Sequence, residues 1–253
     1  MPNEAHQAFL PLLGQVAVVT GGGRGIGRAI ALALAQAGAD VSICARTAAQ
    51  LHAVAAELEA MGRAALPVAC DVAEPAAVDE LARRTMVRFG KVHILVNNAG
   101  GGNGRGPVLE SDPALWRRTL EVNLAGVYLV TRAFLPHLMA SGGGKIINIG
   151  SGVGHEARPG NSAYAVAKAG VWMLTRVLAQ EVWQHGIEVN EIVPGPVATA
   201  LTAGSMRVGA PPPFAESERV KPPEEVAELA LWLATRPRGG PTAQSFSLAR
   251  RPI

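Results

Sequence analysis

A few residue types, at particular spacings, carry the chemistry available to this chain. Tyr164 and Lys168 stand four apart in AYAVAKAGVWMLTRVLAQEVWQHG, a stretch of helical periodicity, so both side chains leave one helix face a turn from each other. A phenol near its reference pKa of about 10 is a poor base at neutral pH, and a neighbouring ammonium favours the phenolate. The spacing therefore suits proton transfer, with Lys168 tuning Tyr164. Alone, a Tyr and a Lys one turn apart also describe a solvated helix face. Ser151 changes that balance, because it ends the run KIINIG thirteen residues before Tyr164, and open α/β sheets place ligands at the C-terminal ends of their strands. Its hydroxyl can bond a carbonyl oxygen and the oxyanion that develops when that carbon is attacked. A serine there can equally make a turn or an N-cap, and Asn123, inside a helical run, can be a back-bonded helix residue.

The elements that must position these groups are legible as an alternation. Short runs rich in Val and Ile, namely QVAVVT, DVSICA, AALPVACD, VHILVNNAG, KIINIGS and IEVNEIV, alternate with longer amphipathic stretches, the longest being ALWRRTLEVNLAGVYLVTRAFLPHLMA; PEEVAELALWLAT and a last strand AQSFSL follow. Five-residue strands separated by helices imply parallel pairing through right-handed crossovers. The expected fold class is α/β: a single-domain doubly wound parallel sheet with helices on both faces, in one domain from 14 to 253 preceded by a loose arm at 1–13. GGNGRGP at 101–107 is expected to be a mobile loop. The Pro-rich, weakly periodic stretch 199–223 is expected to be a substrate loop.

Composition removes several function classes. Of 253 residues, 49% are hydrophobic and 17% charged, enough apolar material to bury a sheet on both faces, and the net charge is +3 with basic residues scattered. No electrostatic footprint for nucleic acid emerges. The start lacks the pattern of a secretory signal and no apolar run is long enough to span a membrane, so a cytoplasmic location is expected. The histidines and the two cysteines, Cys44 and Cys70, lack HxxxH or CxxC spacing, so no metal is expected and the thiols are expected to be reduced core residues.

TGGGRGIG, residues 20–27, joins the first strand to the first helix. Glycines there let the backbone turn sharply and approach a pyrophosphate, whose charge the helix N-terminus stabilises. The spacing is TGxxxGxG, through Gly21, Gly25 and Gly27, rather than the commoner GxGxxG. With it come Asp71 and Val72 after the third strand, NNAG at 97–100, Asn123, Ser151, YAVAK at 164–168 and PGPVAT at 194–199. In this ordered set, from about residue 14 to about 235, the chain resembles the short-chain dehydrogenase/reductase family, closest in pattern to its 3-oxoacyl-[acyl-carrier-protein] reductase-like members.

The resemblance implies a Rossmann-type fold and an oxidoreductase that moves hydride between a nicotinamide dinucleotide and a carbonyl or alcohol carbon. It assigns Asn123, Ser151, Tyr164 and Lys168 to a catalytic tetrad, with Ser151 orienting the carbonyl, Tyr164 giving the proton, Lys168 also holding the nicotinamide ribose and Asn123 supporting a proton relay. For the cofactor it implies Thr20, Gly21, Arg24, Gly25, Ile26 and Gly27 at the pyrophosphate turn. Asp71 and Val72 would hold the adenine, Asn97 with Ala99 and Gly100 the adenosine side, and Pro194, Gly195, Val197 and Thr199 the carboxamide. Cofactor choice is read from the end of the second strand, where an acid would bond the ribose hydroxyls of NAD. Here Ala45 takes that place, followed by Arg46 and Thr47, with Arg24 able to approach from the glycine turn; NADPH is expected over NADH.

The substrate end carries no code. Ser151, Val153, His155 and Met206 are candidate substrate contacts, Val208 and Phe214 suggest apolar surface, and Arg105, Arg207 and Arg219 are candidates to meet an acidic carrier protein. Partners are expected to be a small-molecule or acyl-carrier-linked carbonyl substrate and further copies of the chain, as a dimer or tetramer, since the apolar runs LAGVYLVTRAFL and AGVWMLTRVLA exceed what one sheet face needs. The ending SFSLARRPI departs from the family's Gly-rich close, which leaves the assembly open. The alternatives are an alcohol, polyol or steroid dehydrogenase working oxidatively, and a silent nucleotide-binding regulator on the same fold.

Overall fold

In the computed structural model, the described residues are 10–102, 105–200, 202–204, 206–212 and 216–250. The strands are β1 (Val16–Thr20), β2 (Asp40–Ala45), β3 (Ala65–Ala69), β4 (Ile94–Asn97), β5 (Gly144–Ile149), β6 (Ile187–Val193) and β7 (Ser245–Ser247). They pair in parallel in the order β3-β2-β1-β4-β5-β6-β7. The chain builds outward from β1 to β3, then restarts beside β1 with β4. That reversal opens a crevice at the C-terminal ends of β1 and β4.

The helices are α1 (Gly25–Gln36), α2 (Ala48–Ala60), α3 (Pro75–Phe89), α4 (Pro113–Leu120), α5 (Gly126–Ala140), α6 (Ser162–Val182) and α7 (Pro223–Ala234). Strand alternation divides the core into two layers. Ala17 and Val19 of β1 face the layer built with α1, α2 and α7, while Val18 faces the layer with α3, α5 and α6. All five residues of β1 and all seven of β6 are buried, which is why central parallel strands read as apolar runs rather than alternating ones.

A buried polar network ties the second layer to the sheet. Asn97 Nδ2 at the end of β4 donates to Asn148 Oδ1 of β5 and to Thr131 Oγ1 of α5, both at 2.9 Å, and Asn148 Nδ2 donates to Thr175 Oγ1 of α6 at 2.9 Å. Helices α5 (Gly126–Ala140) and α6 (Ser162–Val182), the second of which carries Tyr164 and Lys168, are thereby fixed in register with the strand ends. At the opposite, N-terminal end of the sheet, Lys145 Nζ donates to Glu188 Oε2 at 2.8 Å and to Pro237 O at 3.2 Å, and Glu188 Oε1 accepts from Gly239 N at 2.6 Å.

Two expectations are corrected. Residues 10–13 of the expected arm are tied down: Leu12 is fully buried and its amide donates to Ala37 O at 2.8 Å. The long helix expected over 114–140 is two helices joined by a π-helical turn, Glu121–Ala125. Cys44 and Cys70, on neighbouring strand ends, are free and buried. Among the described residues no helix is long and apolar enough to cross a membrane.

Candidate active site

The crevice is a cleft of about 490 Å³, and its floor is the glycine turn. Gly21 and Gly25 have φ of +66° and +55°, a left-handed backbone that favours glycine. Gly27 is needed for close approach, since a Cβ there would lie 2.3 Å from Gly21 O; it packs the turn against α1 rather than lining the cleft. Thr20 is likewise interior: its Oγ1 accepts the amides of Asn98 and Ala99, each at 3.0 Å, and so clamps the end of β4 onto the end of β1. The N-cap of α1, Arg24, makes no side-chain cap, so the first amides of the helix face the cleft through Gly25 and Ile26.

At the end of β2 the cleft is walled by Ala45, Arg46 and Thr47, with Arg24 and Gln50 close by. Asp71 and Val72 line the next stretch. Asp71 Oδ1 accepts from Ala73 N at 3.1 Å and Oδ2 is paired with Arg118 of α4. Arg118 also reaches Glu121 Oε2 at 3.3 Å. Arg118 is a cleft residue that sequence reasoning missed; only the crossover of the chain brings it 47 positions back to Asp71.

The four residues expected to form a tetrad gather beside the ends of β4 and β5, Asn123 from a π-helical turn, Tyr164 and Lys168 from α6 and Ser151 from the turn after β5. Asn123 is fully buried in the π-helical turn. Its Nδ2 donates to Gly101 O at 2.7 Å and to Thr119 O at 2.9 Å, and its Oδ1 accepts from Gly101 N at 3.0 Å. It is thus back-bonded and also grips the chain leaving NNAG. Gly100 must be small, since a Cβ there would sit 2.7 Å from Asn123 Oδ1 and 3.7 Å from Lys168 Nζ. Lys168 Nζ donates to Ile149 O at 2.7 Å and lies 5.7 Å from the centre of the Tyr164 ring. Ser151, two residues past the end of β5, lines the cleft together with Tyr164.

The electrostatics differ from the sequence expectation. Burial pushes the Tyr164 phenol above its ordinary value, opposed by the Ser151 hydroxyl and the positive charge of Arg105, and the net direction is upward. Burial in turn lowers Lys168 to about 8, with Glu191 pulling the other way. A neutral phenol is a proton donor before it is a base.

Pro194, Gly195, Val197 and Thr199 line the far end with Met206. Thr202 Oγ1 donates to Val197 O at 2.7 Å and accepts from Thr199 N at 2.9 Å, while Ala198 N donates to Lys221 O at 2.9 Å. Both ends of the expected substrate loop are therefore pinned at the cleft. Phe214 lies outside the described residues, and Val208 is exposed.

Three candidate residues face elsewhere. Asn97 is turned into the sheet by strand alternation, and Asn98 and Ala99 take the cleft position; Asn98 Nδ2 bonds Thr20 O at 2.9 Å. His155 does not line the cleft, because its ring is sunk between Glu191, 3.0 Å from Nε2, and Trp172. Val153, on the one-turn helix Gly152–Gly154, is half-buried and does not line the cleft. Arg219 forms a two-pronged pair with Glu225 at 2.7 and 2.5 Å, so it is engaged within the chain.

The sequence profile of a family described as short chain dehydrogenase matches residues 15–207. Among curated proteins, the chain is 38% identical over 241 residues to a 3-oxoacyl-[acyl-carrier-protein] reductase of Synechocystis sp., covering 94% of this chain and 96% of that protein. It is 40% identical over 226 residues to cis-4-hydroxycyclohexanecarboxylate dehydrogenase of Sinomonas cyclohexanicum, covering 87% and 89%. A solved short-chain type dehydrogenase/reductase from Mycobacterium marinum superposes with a TM-score of 0.85 at 31% identity, over 95% of this chain and 96% of that one.

Proposed function

The chain belongs to the short-chain dehydrogenase/reductase family, and we propose that within it the protein is an NADPH-dependent reductase of a ketone, of the 3-oxoacyl thioester class. The observation that carries the cofactor choice is the end of β2, where Ala45, Arg46 and Thr47 line the cleft together with Arg24 and no carboxylate takes the place of Ala45. Two guanidiniums there suit a 2′-phosphate and leave NAD's ribose hydroxyls without an acceptor. The glycine turn, the uncapped N-terminus of α1 and the cleft they line fit a pyrophosphate.

A bound nicotinamide dinucleotide supplies the hydride. The chain's own residues do the rest. Ser151 and Tyr164 offer two hydroxyls to one carbonyl oxygen, so that charge developing on it meets donors already in place. Tyr164, held neutral by burial, gives its proton to that oxygen, and the resulting phenolate is stabilised by the nearby Lys168 ammonium. Asn123 holds Gly101 by two hydrogen bonds and so fixes the chain that leaves β4 beside Lys168.

The thioester class rests on likeness to the Synechocystis reductase. A second reading, oxidation of a secondary alcohol on a ring, is favoured by the 40% identity to the cyclohexanecarboxylate enzyme. The experiment is a titration of the protein with NADPH and NADH, followed by NADPH oxidation with acetoacetyl-CoA and, in reverse, NADP and NAD reduction with a 4-hydroxycycloalkane carboxylate. Tight NADPH binding with thioester turnover is the expected result. Preference for NADH, or turnover of the ring alcohol alone, replaces it with the second reading.

A further inference from the structure

Glu191 takes no part in the reaction above, yet it is a fully buried carboxylate in the wall behind the site. It stands on β6, in register with Asn148 of β5. Its Oε2 accepts from Ser245 Oγ of β7 at 2.6 Å and meets His155 Nε2 at 3.0 Å. Its Oε1 has no hydrogen-bond partner among the described residues, and it presses on Gly150, where a Cβ would lie 1.9 Å away. Burying a carboxylate with one oxygen unserved is costly, so its retention calls for a role.

The surroundings supply one. The turn after the catalytic serine closes through Gly154 N to Ser151 O at 2.9 Å and His155 N to Gly152 O at 3.1 Å. His155, its side chain 8% exposed, drops from this turn onto Glu191 and stands edge-on against Trp172 of α6, ring centres 5.3 Å apart. Gly154 lies so close to α6 that a Cβ there would come within 3.0 Å of Lys168 Cβ. The loop, β6, β7 and the helix bearing Tyr164 and Lys168 therefore meet at one imidazole and one carboxylate.

We propose that Glu191 and His155 are positioning residues: a buried carboxylate–imidazole latch that fixes the turn carrying Ser151 against α6 and keeps a negative charge behind Lys168. The latch acts through others. His155 holds the turn that begins at Ser151, and with it the place of the Ser151 hydroxyl in the cleft that Tyr164 also lines. Glu191 counters the burial that lowers the Lys168 ammonium to about 8, and so keeps that group cationic at neutral pH. The other charged or titratable groups at this corner among the described residues are Tyr164 and Arg176 of α6, the latter over Trp172 at 4.6 Å, Arg105, whose charge reaches Tyr164, and the outward Glu156–Arg158 pair of the same loop. Ser245 of β7 is neutral.

This proposal rests on the reaction assigned to Ser151, Tyr164 and Lys168, and one of its two tests needs no substrate. Hydrogen exchange of the amides of 152–158 should quicken about tenfold in His155→Phe, which keeps an aromatic ring beside Trp172 but loses the bond to Glu191; unchanged exchange overturns the latch. In Glu191→Gln, of the same shape without the charge, the alkaline limb of kcat for NADPH-driven reduction should move down by about one pH unit at an unchanged KM for NADPH. A limb that stays put in a variant of unaltered Tm overturns the electrostatic half. Should Glu191→Gln not fold, Glu191→Asp keeps the charge on a shorter arm: faster loop exchange with an unmoved limb supports the proposal, and neither change overturns it. Wild-type protein inert towards every ketone defeats the reaction assignment, while the exchange measurement still judges the latch.

Discussion

The two ends of the cleft are built by different means. The end proposed to take the dinucleotide is made largely of backbone: a glycine turn, the first amides of α1 and the paired ends of β1 and β4, clamped by Thr20 Oγ1 on two amides at 3.0 Å. The end proposed to take the substrate is made of loops held by individual side chains, with Thr202 bridging Val197 and Thr199, and, behind it, His155 reaching Glu191. Backbone geometry tolerates few sequences and so announces itself in glycines at fixed spacing. Side-chain fastening can be achieved by many residue pairs, which leaves the substrate end free to diverge and hard to decode.

The sharpest break of that contrast is Tyr164→Phe. It should lower kcat about a thousandfold, the upper range for loss of a proton donor, while the NADPH Kd measured by fluorescence titration stays within about twofold. A parallel loss of binding would mean that the tyrosine belongs to the dinucleotide end after all.

Next in size is an effect on neither end. Glu188→Ala strips the carboxylate from Lys145 at the bottom of β5 and β6, and leaving that ammonium buried and unpaired should cost about 3 kcal/mol in chemical denaturation. Activity per folded molecule should be unaltered, since the pair lies a full strand length from the tetrad.

Arg46→Asp should raise the NADPH Kd more than about tenfold by removing a charge-assisted partner and adding repulsion, with kcat at saturating NADPH little changed. A fall in kcat instead would show that the two ends are coupled. The pH dependence bears on the same question: Lys168 is cationic below about 8 and neutral above it, so reductive kcat should decline as pH rises through that value. The smallest effect expected is that of Arg118→Leu. It frees Asp71 from a half-exposed ion pair and should raise the KM for NADPH about threefold, in keeping with the modest worth of such pairs.

Much of the sheet could be read from the chain because central parallel strands are apolar throughout and helices repeat near 3.6, so β1 to β6 and the helices between them stand out. The four residues expected to form the tetrad could be named because Ser151 follows a strand and Tyr164 and Lys168 share a helix of recognisable period, whereas the π-helical turn that holds Asn123 has no such signature. What escaped did so for definable reasons. Asn97 and Asn98 are adjacent, and a strand end uncertain by one residue reverses which of them faces the cleft. Arg118 and Asp71 are joined by a crossover, and nothing local marks a pair 47 positions apart. Glu191 sits in IEVNEIV beside Glu188 and Asn190, and polar residues in a strand ordinarily point to water; that every residue of β6 would be buried depends on neighbours on both faces. His155 followed from the same blindness, because its partner was not expected inside.

The wide turn at Glu121–Ala125 has a consequence for how this cleft can change over evolutionary time. Each residue of an α-helix rotates the next by about 100°, so one residue more or fewer in that turn sets the angle between the face that α4 shows to the cleft, with Leu115, Arg118 and Thr119, and the face that α5 shows to the core, with Val127, Val130 and Phe134. The two helices behave as a dial with its setting stored at one joint. A single-residue deletion there would turn the wall beside Asp71 to present a different set of side chains to whatever enters, and would at the same time shift Asn123 from its grip on Gly101.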